Sequence, residues 1–336
     1  MINWDLAVKV ASRFAGTYPL EDTYHSDLLA REAPGIVARA AQMVEDETGL
    51  TAAGEPAVEV VTRKQWAETN VAVFSQLLAP AEEKIQKANP VASRVVAAEM
   101  GAVLGFLSRK VLGQYELVLP GKGESGDVVY LVGANVLAME RSHQFRPSEF
   151  RLWIALHECA HRLQFVGVPW LRGYFLELVG ELVASAVPEP GKWARIMADV
   201  RKATDSGEPI IGETGLFGLF ANSSQKDLLE RVQALMSLLE GHGHVVMDRI
   251  GRRELASQQR MSLVLRQRRK DPRTATFLRL TGLEMKMRQY EQGEKFVLRV
   301  EREAGWSALD RVWDGPDSLP SLAEINEPML WLSRVS

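Results

Sequence analysis

A single cysteine, Cys159, stands in a chain of 336 residues, so no internal disulfide can form. That absence fits a reducing compartment and leaves stability to packing or to a bound group. Long apolar runs are also missing. The most apolar stretch, Val95 to Leu107, is interrupted by Glu99 and is too short to span a bilayer. The start, Met1-Ile2-Asn3-Trp4-Asp5, has no basic segment leading into an apolar one, so no secretory signal is expected. Neither sign of charge dominates: 40 basic residues face 43 acidic ones, a net charge of -3. Such a balance exerts no overall pull on nucleic acid or an anionic membrane. The expectation is a cytoplasmic protein with neither kind of partner. Internal repeats, low-complexity segments and clear linkers are lacking too.

What remains is ordinary globular composition, 46% hydrophobic and 25% charged. The length allows one large domain or two packed lobes. We expect a single domain over 1–336, with any cleft lying between about 1–165 and 166–336.

Apolar spacing predicts helices over 4–15, 27–47 (ended by Gly49), 63–87, 92–112, 148–165, 171–186, 226–250, 253–269, 276–289 and 294–304. Gly101 and Gly105 suggest a closely packed helix pair. Pro147 and Ser148 mark a helix start, with Ser148 as candidate N-cap. Residues 58–61 read as a short strand. Residues 115–119 and 128–132 read as a hairpin around the turn-forming 120–126, and 207–218 as a loop. The fold class is mainly α with a small β element ahead of the helix that begins at Pro147.

That helix carries the chemistry. His157-Glu158-Cys159-Ala160-His161 is an H-E-x-x-H stretch with Leu152, Leu156, Ala160 and Leu163 as an apolar stripe. Four residues are about one turn, so His157 and His161 share a face and can hold one zinc ion. Glu158 can then take a proton from the zinc-bound water. A helix can also carry two histidines without function. However, only six occur in the chain, and the apolar flanks point to burial, where histidines need partners. Cys159 points away from the histidine face and reads as a small core residue.

Catalytic zinc usually has three protein ligands, so the third must come from elsewhere. Glu240, His244 and Asp248 lie one turn apart in an otherwise apolar helix. Glu240 is the leading candidate ligand, with Asp248 or His244 placed to hold a ligand histidine. Glu181 follows His161 at a spacing resembling that of thermolysin and is the rival. His242 and His244 are further alternatives.

These residues, together with Lys286-Met287-Arg288-Gln289-Tyr290, Gly293-Glu294-Lys295-Phe296-Val297, the opening Asn3-Trp4-Asp5-Leu6-Ala7 and the tail from Trp313 to Pro328, resemble the type-2 zincin-like metallopeptidases. That family is associated with deazaflavin-cofactor biosynthesis in actinobacteria. The resemblance spans nearly the whole chain. It implies a zincin-like fold, a zinc cofactor, a peptide or protein substrate, and Glu240 as third ligand. By analogy with many zinc peptidases, the hairpin ahead of the H-E-x-x-H helix either offers an edge strand to extended substrate or merely packs. Glu158 then serves as general base, and Tyr290, or alternatively His244, donates to the oxyanion. The contrasting reading is a catalytically silent zinc scaffold that acts through protein binding. The arginines at 252–253 and 266–270 lack interleaved aromatics, and read as a solvated helix face.

Overall fold

The computed structural model describes residues 2–335 apart from 89, 119–126, 186–222 and 270–283; side chains at 80–92, 183–185, 223–225, 268–269 and 284–290 also lie outside the described set. Helices α1 (Trp4–Ala15) and α2 (Tyr24–Thr48) lead into β1 (Ala57–Val61). Helices α3 (Arg63–Ala88) and α4 (Pro90–Leu107) precede β2 (Gly113–Glu116) and β3 (Val128–Val132). Then follow α5 (Gly133–His143), α6 (Pro147–Gly167), α7 (Leu171–Ser185), α8 (Ser223–Glu254), α9 (Gln258–Arg269) and α10 (Glu284–Ala304). The tail holds 3-10 turns at Trp306–Trp313 and Pro316–Ser318, and the short helices α11 (Leu322–Asn326) and α12 (Pro328–Val335).

The sheet has three strands in the order β1-β3-β2. β3 pairs parallel with β1 and antiparallel with β2. All five β3 residues are buried, as expected of a central strand covered on both faces. Its side chains alternate between two cores. Val129 and Leu131 enter the core built from α2, α5, α6 and part of α8. Val128, Tyr130 and Val132 enter the one built from α1, α3 and α4. The sheet is therefore sandwiched between two helical layers, with β2 as the edge nearer α6. In the second layer, an added Cβ at Gly101 or Gly105 would come within 2.4 Å of the carbonyls of Ala7 or Ala11. This is the close helix packing that their spacing suggests.

Helix α8 joins the remaining cores. Val246, Met247 and Ile250 face α6, Leu228, Leu235 and Leu239 face α7, and Leu238 and Val245 face α10 and the tail. The α8–α10 crossing has no side chain between the backbones. A Cβ on Gly241 would lie 2.1 Å from the carbonyl carbon of Gly293, and one on Gly293 would lie 1.7 Å from Ser237 O.

Several boundaries differ from expectation. β2 begins at Gly113, two residues early, because α4 ends at Leu107. Ser148 lies inside α6: Arg146 is the cap residue, and Pro147 occupies the first turn, where a missing N–H is harmless. One helix, α10, continues through Gly293 where two were expected. The stretch 207–218 lies outside the described residues. Among the described residues, no helix is long and apolar enough to cross a membrane.

Two measurements test this packing. Gly293→Ala must push α10 away from α8, so we expect at least about 2 kcal/mol of destabilisation by denaturant unfolding. The second concerns Glu47, which clamps α2 to α8 by accepting from Arg249 Nε and Arg253 Nη2, each at 2.5 Å. Burial works against its ionisation, but the guanidiniums of Arg253 and Arg249 outweigh it and hold the carboxyl below its usual 4.5. A depressed carboxylate stabilises fully above its unfolded value, and that contribution is lost as pH falls through the folded one. The stability gap between wild type and Glu47→Gln should therefore be constant near neutrality and close only below about 4.5. A gap that does not change with acid would remove the clamp.

Candidate metal centre

Helix α6 is buried on nearly every side, and its histidine face turns toward α8 and β2. His157 Nε2 and His161 Nε2 are 3.3 Å apart. Glu240 Oε2, from α8, lies 3.8 Å from the first and 3.5 Å from the second. These are the three residues whose ligand atoms gather within 4.8 Å among the described residues. For tetrahedral zinc with bonds of about 2.0–2.1 Å, ligand atoms sit about 3.3–3.4 Å apart. The triangle is therefore close to the size such an ion needs, and its nitrogen and carboxylate donors are types that zinc accepts. The residues fit the metal.

The orientation of His161 is fixed by a residue the sequence reading missed. Gln164 is fully buried one turn along α6. Its Nε2 donates to Leu239 O at 2.9 Å and to His242 Nδ1 at 3.0 Å. The amide oxygen is thereby left to accept from His161 Nδ1–H at 2.9 Å. With that proton on Nδ1, the Nε2 lone pair of neutral His161 points into the triangle, the tautomer a ligand requires. Burial opposes a positive charge on His161, but the Glu240 carboxylate prevails and pushes the imidazole up to about 9. The same field favours a cation in the triangle. His242, 3% exposed, is driven down to about 4 by burial and by the neighbouring His161. It stays neutral, stacked on Trp306 and edge-on to Trp313.

The other candidates separate clearly. Glu181 is exposed on α7, away from the cluster. His242 belongs to the Gln164 chain. His244 is half-buried with its ring 5.5 Å from that of His157, beside the triangle and outside it. Asp248 accepts from Gln258 Nε2 at 2.7 Å and approaches Arg266 at 3.8 Å, so Gln164 takes the orienting role considered for Asp248. Tyr290 lies on α10, and its side chain is outside the described set. Cys159 is fully buried with its Sγ 3.6 Å from Val37 O, and burial pushes its thiol up.

Glu158 is 6% exposed and faces the edge strand. Its Oε2 accepts from Tyr115 N–H at 3.0 Å, so that N–H points out from β2 rather than toward β3. A Cβ at Gly113 would lie 2.7 Å from Glu158 Oε1. The general-base candidate and the outer edge of β2 thus meet at one place.

A comparison with curated proteins gives no significant match. The chain is similar to the crystal structure of a proposed hydrolase with a novel fold from Chloroflexus aurantiacus, with 32% identity over 99% of this chain and 98% of that one and a TM-score of 0.74. Residues 2–332 match the family model described as zincin-like metallopeptidase, and the chain belongs to that family.

Proposed function

We propose that this chain is a zinc-dependent peptidase, with His157, His161 and Glu240 as metal ligands, Glu158 as general base and a peptide or protein as substrate. The observation that carries the reading is the convergence of two imidazole nitrogens and one carboxylate oxygen, with Glu158 adjacent in the same helix. When bound, the metal supplies Lewis acidity toward the scissile carbonyl and acidifies the attacking water. Glu158 takes that water's proton and passes it to the amide nitrogen as the C–N bond breaks, giving a carboxylic acid and an amine. Tyr115 N–H holds Glu158 by its Oε2. An extended substrate adds along the outer edge of β2, where Tyr115 N–H already meets Glu158, which brings its carbonyls past that carboxylate. Tyr290 is the donor to the developing oxyanion in this reading, with His244, whose ring lies 5.5 Å from that of His157, as the alternative.

Two experiments test this. Glu158→Gln should lower kcat against a peptide library by about 10²–10⁴-fold while zinc content stays at wild-type level. Full activity in the variant would rule out the mechanism. Absence of activity in both proteins, with zinc bound, would favour the scaffold reading. Gln164→Leu should weaken zinc binding about 10–100-fold in a chelator competition. In NMR of the metal-free protein above about pH 9, where His161 is neutral, its nitrogens should also lose the single-tautomer signature. An unchanged tautomer would leave Gln164 a packing residue.

A further inference from the structure

A second cleft, of about 460 Å³, shares no residue with the metal cluster. Arg63 and Asn135 line it, together with Arg109, His143, Gln267, Met139 and Val264. Its volume falls within the range of small-molecule sites. The informative group is Arg63, at the start of α3, which is more than nine-tenths buried. Its Nε donates to Asn135 Oδ1 at 2.8 Å. Asn135 is itself locked, because its Nδ2 donates to Ser108 O at 2.7 Å and to Val111 O at 2.5 Å. Asn135 therefore orients the guanidinium and cannot neutralise it.

Among the described residues, the two Nη groups of Arg63 have no hydrogen bond and no ion pair. The ring of Tyr18 lies 5.6 Å from Cζ. The Glu21 carboxylate favours the charge on Arg63 but forms no ion pair with it, and its Oε2 already accepts from Tyr18 N–H at 2.9 Å. Arg109, exposed and likewise without an ion pair among the described residues, adds a second positive charge close enough to repel the first. Arg63, buried with its fork free and with Arg109 beside it, is compensated by Glu21 only through space, and an anion seated on the fork would complete that compensation. A guanidinium fork suits the paired oxygens of a carboxylate or phosphate. Met139 and Val264 supply an apolar wall beside it.

We propose that this cleft binds a small organic anion, its oxyanion held by the Nη groups of Arg63 and by Arg109 and its carbon body lying against Met139 and Val264. The proposal is independent of the metal centre. Binding of acetate, hexanoate and inorganic phosphate to the full chain by calorimetry tests it, using wild type, Arg63→Met and Arg109→Glu. We expect hexanoate to bind more tightly than acetate, and each substitution to weaken binding about tenfold or more. Zinc affinity should not change. Phosphate binding with the same sensitivity and no gain from the hexanoate chain would assign the oxyanion to a phosphate ester. If Arg63→Met fails to fold, the exposed Arg109→Glu decides alone. No binding of any anion, or binding indifferent to Arg109→Glu, would overturn the proposal.

Discussion

The site depends on two helix backbones meeting with nothing between them. Each glycine inside a helix costs about 1 kcal/mol relative to alanine, and Gly241 and Gly293 both sit in helix interiors. What they permit is an α8–α10 approach that any Cβ would block. Glu240 immediately precedes Gly241, so the contact that fixes the height of α8 also fixes a carboxylate opposite α6. Three residues beyond Gly293, fully buried Phe296 packs edge-on against fully buried Trp331. The tail then closes over the crossing and brings Trp306 and Trp313 onto His242. The orientation of His161 thus runs through Gln164 and His242 to the far end of the chain, and Trp170 Nε1 ties the same tail to the end of α6 by donating to Trp313 O at 2.8 Å.

How much of this can be read in the sequence depends on whether a residue's partner lies in its own helix. The i, i+4 histidines need only the helical repeat, so His157 and His161 were legible at once. Glu240 stood out because a carboxylate inside an apolar helix demands a partner. Gln164 did not: a glutamine three residues after a histidine is chemically unremarkable until Leu239 and His242 arrive from another helix. Asp248 shows the opposite error. It had the right periodicity for the site, but α9 folds back and presents Gln258 to it first. The β2–β3 hairpin was readable from its turn residues. The parallel β1–β3 pairing was not, because its partners are about seventy residues apart and β1 is only partly buried.

Helix α6 poses a further problem of specification. It is apolar almost all round, and such a helix can slide by a turn without exposing much. A one-turn slip of about 5.4 Å would put one imidazole in the other's place and leave Glu240 facing a single histidine. Two buried arginines prevent it. Arg151 donates to Glu140 on α5 at 2.7 and 3.0 Å and to Glu32 on α2 at 2.7 Å. Arg162, next to His161, donates to both oxygens of Asp127 at the root of β3 and to Gly54 O. Replacing a buried ion pair by well-packed apolar residues is often neutral or stabilising, whereas removing one partner costs about 3–5 kcal/mol. Stability alone therefore gives no reason to keep these pairs. Their positions do: they pin α6 on both sides of the histidines, to elements from different layers. In the slipped register each guanidinium would be buried without its carboxylate, so that register carries a penalty the hydrophobic pattern cannot impose.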